Sequence, residues 1–409
     1  MEETKRDLGI YIHIPFCSKK CDYCDFLSGT SSKMMMRDYF EALLSEIDQY
    51  RGHTEGYLVP TIFIGGGTPS LVDSFFIERI MNKVEKVFQI DHKRLEATIE
   101  INPGTITKEK LQAYQRAGIN RISFGLQSAS NEELKLLGRI HTYEQFEQNY
   151  DLAREMGFHN INIDLMSALP GQTLESWEET LNKVMQLEPE HISAYSLIIE
   201  EGTKFYERYQ EGTKGNQSLP DEEVDRLIYH RTKEVLQKHG YLRYEISNYA
   251  KKGSECRHNM SYWIGTEYLG LGLGASSYYR GARFSNLREL DLYIESGMKN
   301  GKKADKEPVK ETKAGNCLDQ LDICCEYKVL TKKEQMEEFM FLGLRVCSGV
   351  KKSKFMRRFL VPIETIYGEI LQSLQQKKLI VMDGDNIKLT EFGIDISNYV
   401  LSEFLMDES

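Results

Sequence analysis

Three cysteines lie close together near the start of the chain, at Cys17, Cys21 and Cys24. Their spacing, C-x3-C-x2-C, places three thiolates on one short loop, and thiolate sulfur is the ligand that iron–sulfur clusters select. Three cysteines hold three corners of a cuboidal cluster and leave the fourth iron free to take a substrate. An electron carrier normally fills all four positions, so this pattern indicates catalysis.

Other uses of the cysteines fit the sequence less well. A structural zinc site needs four ligands, usually two C-x2-C pairs, and no second pair follows. A disulfide framework is typical of short secreted chains, whereas this chain is long and its polar N-terminus is expected to carry no secretion signal. Cys317, Cys324 and Cys325 include an adjacent pair but no C-x2-C spacing, and we interpret them as incidental.

The residues around the cysteine loop resemble a known family. The apolar run before Cys17 is typical of a buried strand, and Tyr23 stands just before the third cysteine. A C-x3-C-x2-C loop after a first strand resembles that of the radical S-adenosylmethionine (SAM) superfamily. The wording YIHIPFC at residues 11–17 narrows the resemblance to the oxygen-independent coproporphyrinogen III oxidase-like family, which includes the heme chaperone (HemW) branch.

The resemblance implies bound SAM and assigns residues to it. In the family a GGGTP segment holds the SAM amino group, and residues 65–69 have the same letters. An arginine of the family meets the SAM carboxylate with its planar fork, and Arg139 resembles it. Glu100 interrupts an apolar strand, where a charge is expensive to bury without a partner. The expected SAM ligands are Tyr11, Tyr23, Gly66, Gly67, Thr68, Glu100, Gln127, Arg139 and Asp164.

The implied chemistry is that of the superfamily. The open iron chelates SAM, and an electron delivered through the cluster breaks a carbon–sulfur bond to give a 5′-deoxyadenosyl radical. The cofactor carries the difficult step, while the protein orients it and excludes water. Whether SAM is cleaved here or only bound stays open, and so does the question of whether the protein is an enzyme.

One segment departs from the family pattern. The family reads DLMFGLPGQT or close to it, whereas here Asp164 is followed by Leu165-Met166-Ser167-Ala168-Leu169. Glycine adopts backbone conformations that are closed to other residues. The loss of this glycine therefore leaves the shape of the loop open.

Six strand-like runs alternate with amphipathic helical stretches over the first 200 residues. This alternation implies a parallel sheet with right-handed crossovers, closed into a barrel or part of one. The unusual polar residues follow the ends of these runs, which is where barrels carry their chemistry. The resemblance implies an α/β fold, a partial (βα)6 radical SAM barrel with a small C-terminal winged-helix-like α+β domain.

The sequence divides into four segments. We assign residues 1–240 to the barrel, 241–300 to a barrel extension with an HNxxYW segment, and 301–333 to a charged insertion or linker. Residues 334–409 are expected to form the C-terminal domain. That domain is expected to pack against the barrel, because no basic stripe marks a nucleic-acid surface.

The two branches of the family differ at positions that can be compared. The oxidase has a fourth cysteine two residues after the third, where this chain has Phe26, and an N-terminal extension before the strand that here starts at Gly9. The chaperone branch instead carries CDF and an H-N-x-x-Y-W motif, matched at residues 24–26 and 258–263. The resemblance therefore favours a chaperone that binds heme and delivers it to apo-hemoproteins.

His258 is the candidate heme ligand. A neutral imidazole is a common axial ligand of heme, and Tyr262 and Trp263 offer aromatic surface to a flat macrocycle. Cys256 is a second candidate ligand. On the residues alone, a turn with two aromatic side chains in the core is an alternative reading. The resemblance favours the ligand.

Composition limits the partners. The chain has 409 residues and a formal net charge of −10, which argues against a nucleic-acid binder. Its eight cysteines, without a secretion signal, are expected to be reduced thiols of a cytoplasmic protein. The resemblance implies heme, apo-hemoproteins such as respiratory enzymes, and an electron donor such as flavodoxin or ferredoxin. Peripheral membrane association and a dimer stay open.

Two other functions remain alternatives. One is an oxygen-independent coproporphyrinogen III oxidase of porphyrin biosynthesis, which decarboxylates two propionates to vinyl groups. The other is a radical SAM enzyme that acts on an unrelated substrate. Turnover of coproporphyrinogen III would establish the first, and absence of heme binding would favour the second.

Overall fold

The computed structural model of the protein describes residues 5–301 and 323–406. Its larger part is built on a twelve-stranded sheet in which six strands run parallel, each beside the next in chain order. These strands are β1 (Arg6–Ile14), β2 (Tyr57–Gly66), β3 (Glu96–Ile101), β4 (Arg121–Gln127), β5 (Ile161–Ser167) and β6 (His191–Ser196).

Helices connect the parallel strands. They are α1 (Lys33–Gln49), α2 (Ser74–Val87), α3 (Lys108–Arg116), α4 (Asn131–Leu136), α5 (Tyr143–Glu155) and α6 (Leu174–Gln186). After β6 follow α7 (Lys204–Tyr209) and α8 (Glu222–Lys238). The strand–helix alternation of the sequence is thus confirmed, and with it the partial (βα)6 barrel. No helix within the described ranges is long and apolar enough to cross a membrane.

The crossover helices begin where a side chain caps the first turn. Ser32, for example, accepts a hydrogen bond from the backbone N–H of Met35 at the start of α1. Such a cap replaces one of the hydrogen bonds that the first turn lacks. One face of the same helix, which includes Tyr39, Leu43 and Ile47, is buried, as the period of an amphipathic helix requires.

The sheet continues beyond the barrel on both sides. Its remaining strands are β7 (Leu242–Arg243), β8 (Asn248–Ala250), β9 (Glu267–Leu271), β10 (Ser276–Tyr279), β11 (Ala282–Asn286) and β12 (Cys324–Val329). Between β8 and β9 lies the short helix α9 (Arg257–Trp263), and α10 (Leu290–Gly301) follows β11. Strand β9 pairs in parallel with β1. Residues after 240 therefore extend the parallel part of the sheet beyond β1.

The segment that the sequence assigned to a charged insertion ends in a strand. Its last part, β12, pairs antiparallel with β11 and forms the edge of the large sheet. The side chains of β12 are at least partly exposed. Charged residues are common on edge strands, so the charged composition of this segment fits an edge strand as well as a linker. Cys317 lies outside the described residues.

The C-terminal part has its own sheet and core. It consists of α11 (Lys332–Gly343), β13 (Val350–Lys351), α12 (Lys352–Phe359), α13 (Ile363–Gln376), β14 (Ile380–Asp383), β15 (Asn386–Leu389), α14 (Glu391–Asp395) and α15 (Ser397–Ser402). The three strands form an antiparallel sheet in the order β13-β15-β14. A separate cluster of buried apolar side chains fills its interior. The predicted small α+β domain is therefore present.

Candidate cofactor site

The three cysteines of the first motif lie on the loop that joins β1 to α1. Within this loop Asp22 is almost fully buried, and its N–H donates to the carbonyl of Leu137 at 3.1 Å. Its carboxylate pairs with Lys204 at 3.1 Å and with Arg208 at 2.9 Å, both on α7. Although burial opposes it, these cations hold the pKa of Asp22 below its usual value. The loop is thus anchored by residues far away in the sequence.

One pocket of about 110 Å³ joins the cysteine loop to the carboxyl ends of the strands. All of the predicted cluster and SAM ligands line it except Tyr11, and His258 does not line it either. The predicted residues that meet in the pocket are Cys17, Cys21, Cys24, Tyr23, Gly66, Gly67, Thr68, Glu100, Gln127, Arg139 and Asp164.

The thiols of this pocket fit an iron–sulfur cluster. The Thr68 hydroxyl lies 3.5 Å from Cys17 Sγ, and Arg139 Nη1 lies 3.6 Å from Cys21 Sγ, so thiolates here would have hydrogen-bond donors. Among the residues that the structure describes, no three His, Cys, Asp or Glu side chains converge as around a single ion.

Gly67 lets the backbone of the GGGTP segment approach the cysteine loop. A Cβ atom at this position would lie 2.8 Å from the carbonyl oxygen of Phe16 and 3.0 Å from Cys17 Sγ. Real side chains do not tolerate such contacts with backbone, so glycine is required for this close approach. The GGGTP segment can therefore pack against the cysteine loop only with glycine at position 67.

Arg139 is a donor that the protein does not fully use. It is half-buried, its Nη2 donates to Asn102 Oδ1 at 2.8 Å and to the carbonyl of Gly125, and its Nε is buried without a partner. Asn102 also donates to Thr68 Oγ1 at 2.8 Å and so links three parts of the pocket. The sequence analysis did not select Asn102 as a ligand, although a polar residue directly after a strand was the available signal.

Two carboxyl groups stand in the pocket beneath the cysteines. Glu100 accepts a hydrogen bond from the N–H of Gly66 at 3.0 Å, and burial together with the charge of Asp164 raises its pKa to about 8. Asp164 accepts from Ser123 at 3.1 Å and from Asn162 at 2.7 Å, and burial raises its pKa as well. At neutral pH Glu100 therefore holds a proton that it can donate to a ligand.

Two non-glycine residues at the ends of β4 and β5 have a left-handed backbone. Gln127 has φ of 75° where the pairing of β4 with β5 shifts register, and Ala168 has φ of 57°. Ala168 stands where the family pattern has glycine, so the loop keeps the glycine conformation at a cost of about 1 kcal/mol. This settles the shape of the loop that the sequence left open. Such strain is typical of functional sites.

His258 lies on α9, at the other end of the barrel strands from the cysteines. It is 1% exposed, and both ring nitrogens are engaged: Nδ1 with Thr61 Oγ1 at 3.0 Å and Nε2 with the Tyr262 hydroxyl at 2.8 Å. Burial and the positive charge of Arg121 lower its pKa to about 3, so the ring is neutral. Tyr11 lines a deeper cavity of the barrel with His258, Glu100 and Asp164.

Glu96 holds the start of α9 and was not found by the sequence analysis. Its buried carboxylate accepts from the N–H groups of Arg257 at 3.2 Å and His258 at 3.0 Å, and Cys256 Sγ lies 3.7 Å away. A carboxylate at a helix start satisfies free N–H groups. Cys256 is fully buried in this contact. An acid at the start of an apolar strand was the only signal for Glu96.

A cleft of about 100 Å³ lies where α9 and the C-terminal domain meet. Its walls are largely aromatic and aliphatic, and basic side chains stand around it. The Arg345 guanidinium lies 4.6 Å from the ring centre of Trp263, a cation–π contact. The residues that matter below are Tyr262, Trp263, Phe339, Lys351, Lys354 and Arg358.

The fold and the pocket define a class of protein. The Radical SAM superfamily model matches residues 11–184, and the HemN C-terminal domain model matches residues 330–396. Coproporphyrinogen III oxidase (HemN) from Escherichia coli has a similar fold, with a TM-score of 0.80 and 24% identity over 98% of this chain and 91% of that chain. The protein is thus built as a radical SAM protein, a class that uses SAM and a [4Fe-4S] cluster.

Curated relatives narrow this class. Heme chaperone HemW of Lactococcus lactis is 37% identical over 97% of each chain. Heme chaperone HemW of Bacillus subtilis is 35% identical over 97% of this chain and 98% of its own length. The chain belongs to the HemW family. This confirms the resemblance that the cysteine loop and the H-N-x-x-Y-W motif indicated.

Proposed function

We propose that this protein is a cytoplasmic heme chaperone that binds a [4Fe-4S] cluster and SAM, takes up heme and delivers it to apo-hemoproteins. The aromatic cleft at the end of α9 is the observation that carries the heme part, because it adjoins the H-N-x-x-Y-W segment and has basic side chains around it. The names of the curated relatives support the same function.

In the cofactor pocket, Cys17, Cys21 and Cys24 would hold the cluster, and Arg139 would meet the SAM carboxylate through its free Nε. When bound, the cluster supplies the electron that SAM chemistry requires. Protonated Glu100 donates a hydrogen bond to the bound ligand. An electron donor such as flavodoxin or ferredoxin would approach at the cysteine loop, where Phe26 is 64% exposed.

The cleft suits the edge of a porphyrin. Trp263 and Phe339 offer flat apolar surface, and Lys351, Lys354 and Arg358 can neutralise carboxylates at the rim.

His258 takes part only after a local change. Its Nε2 contacts the Tyr262 hydroxyl, and the ring is 1% exposed, so iron reaches this nitrogen only if Tyr262 moves away. We therefore propose that heme first contacts Trp263 and that His258 becomes the axial ligand when the end of α9 opens. Cys256 is less suited as a ligand, because burial raises the pKa of its thiol to about 12.

A heme titration of the anaerobically cluster-reconstituted protein tests this function. The difference absorbance should saturate near one heme per chain, and Trp263→Ala should weaken the affinity about tenfold. His258→Ala should change the heme absorbance spectrum more than the affinity. Phe392→Ala, which removes an exposed aromatic side chain of the C-terminal domain outside the cleft, is the control.

Two outcomes would count against the proposal. If Trp263→Ala binds heme with unchanged affinity, the cleft is not the heme site, but the proposed chaperone function stands. Absence of saturable heme binding to the wild-type protein would refute the chaperone function. Anaerobic turnover of coproporphyrinogen III would then be measured, because the oxidase is the alternative function that the sequence left open.

A further inference from the structure

Asn102 joins two motifs of the cofactor pocket through its side chain. It directly follows β3, and its amide lies between Thr68 of the GGGTP segment and Arg139. Its Oδ1 accepts a hydrogen bond from Arg139 Nη2 at 2.8 Å, and its Nδ2 donates to Thr68 Oγ1 at 2.8 Å. A guanidinium can only donate hydrogen bonds, so the amide atom that faces Arg139 must be the oxygen. The contact with Arg139 thus fixes which way the Asn102 amide points.

The direction of the amide fixes the use of the Thr68 hydroxyl. This hydroxyl has one hydrogen, and its oxygen already accepts the hydrogen bond from Asn102. Its own hydrogen is therefore free for the remaining partner, Cys17 Sγ, 3.5 Å away. Thr68 is 4% exposed, so bulk water has little access to it. Asn102 and Thr68 form a relay in which each donor is directed toward the thiol.

The same amide directs Arg139. The Nη2 of Arg139 contacts Asn102 and the carbonyl of Gly125, and its Nη1 lies 3.6 Å from Cys21 Sγ. These contacts hold the planar fork in one orientation and leave the Nε, which is buried without a partner, for another acceptor. In the function proposed above, this acceptor is the SAM carboxylate. One side chain therefore acts on the SAM contact and on two of the thiols.

The backbone of Asn102 is held in a closed ring of hydrogen bonds. Its N–H donates to Ser70 Oγ at 3.1 Å, and the Ser70 hydroxyl lies 2.6 Å from Thr105 Oγ1. Thr105 donates back to the carbonyl of Asn102 at 2.6 Å. The ammonium group of Lys110 donates to the carbonyls of Ser70 at 2.6 Å and Thr105 at 3.0 Å. The backbone from which the amide extends is therefore fixed relative to both loops.

We propose that Asn102 is a positioning residue that raises the reduction potential of the cluster through Thr68 and increases the affinity for SAM through Arg139. Hydrogen bonds to the sulfur ligands help to set the potential of an iron–sulfur cluster, because they stabilise the added negative charge of the reduced form. This role rests on the cluster and SAM of the proposed function and is independent of heme. It goes beyond that function, because a side chain outside the cysteine loop then sets how easily the cluster is reduced.

Two measurements on the anaerobically cluster-reconstituted full chain test the two contacts. A redox titration followed by visible absorbance gives the midpoint potential, and equilibrium dialysis with the oxidised cluster gives the SAM affinity. Asn102→Asp keeps an oxygen for Arg139 but loses the donor to Thr68, and its second oxygen accepts the Thr68 hydrogen in place of Cys17. Reduction of the cluster should then be disfavoured about tenfold, about 59 mV for one electron, while the SAM affinity stays within about twofold.

Asn102→Ala removes both contacts. It should lower the midpoint potential as Asn102→Asp does and should also weaken SAM binding about tenfold, because Arg139 is then no longer held in one orientation. Iron and sulfide content per chain show that each variant holds its cluster before the two properties are compared.

A double variant separates the relay from the added charge of the aspartate. Thr68→Val lacks the hydroxyl and should lower the potential by a similar amount, and adding Asn102→Asp should lower it no further. The matched control is Asn120→Asp, the same substitution at an exposed asparagine whose amide contacts the backbone of Leu95 and Ala97 at the start of β3. The control should leave the potential and the SAM affinity unchanged, whatever it does to stability.

An unchanged potential in Asn102→Asp or in Thr68→Val would overturn the role of Asn102 in cluster reduction. A further fall of the potential in the double variant would also overturn it, because the fall would then come from the charge. An unchanged SAM affinity in Asn102→Ala would overturn the role in SAM binding. If the wild-type protein takes up no cluster, the proposed function itself fails, and the iron content shows this before any variant is compared.

Discussion

The two ends of the barrel strands differ in how their polar groups are used. At the cofactor pocket, Arg139 keeps a free donor and Gln127 has a left-handed backbone. At the α9 end, both nitrogens of His258 are engaged and Glu96 holds the start of the helix. A free donor is ready to meet a ligand, whereas an engaged imidazole must break a hydrogen bond before it can bind one. The central side chains of the two sequence motifs thus differ in how far they are already satisfied within the protein.

The largest effect is expected from the cysteines, and it would test this contrast directly. Cys21→Ser should abolish the iron–sulfur cluster, because two thiolates cannot hold its three protein-bound corners. Cys256→Ser should keep it, because Cys256 is buried beside Glu96 at the opposite end. The measurement is iron and sulfide content per chain after anaerobic reconstitution, with the visible absorbance. Full iron content in Cys21→Ser would contradict the assigned role of the loop.

A smaller effect is expected from His258 as pH falls. Its folded pKa of about 3 lies below the unfolded value near 6.5, so the unfolded chain binds the extra proton and stability is lost between these values. At pH 5 this histidine lowers the free energy of unfolding by about 2 kcal/mol relative to pH 7.5. The His258→Gln variant lacks this proton uptake. Its unfolding free energy should therefore come closer to that of the wild type by about 2 kcal/mol when the pH is lowered from 7.5 to 5.

Urea unfolding at pH 7.5 and pH 5 measures the effect of His258. His92→Gln is the matched control, because it makes the same substitution at a histidine that is 67% exposed. A difference between wild type and His258→Gln that stays constant with pH would mean that His258 is accessible to protons in the folded protein. The contrast between the two ends of the barrel would then be lost.

The smallest effect concerns the left-handed backbone of Ala168, just after β5. Ala168→Gly should raise the free energy of unfolding of the cofactor-free protein by up to about 1 kcal/mol, because glycine adopts the left-handed backbone without penalty. Unfolding in urea measures this change. Ala129→Gly, at a buried alanine outside the left-handed region, should destabilise instead. A loss of stability in Ala168→Gly would show that the loop is not strained.

Much of the fold and most of the pocket followed from local patterns. The strand–helix alternation predicted the barrel, and polar residues at strand ends predicted a common site, because parallel strands bring their carboxyl ends to one edge. The contacts of Asp22 with α7 and of Glu96 with α9 could not be predicted this way. Their partners lie 182 and 162 residues away, and no local period or spacing encodes such a pair.

By itself the sequence determined the class of protein, the type of fold and the residues that could hold a cluster and SAM, because these depend on residue type and short spacing. Only the tertiary structure decided which polar groups are satisfied. His258 is enclosed by β2 and its own helix, and Arg139 keeps an Nε without a partner in the cofactor pocket. Burial and hydrogen-bond partners are set by the packing of distant segments, and they decide whether a polar side chain binds a ligand or supports the fold.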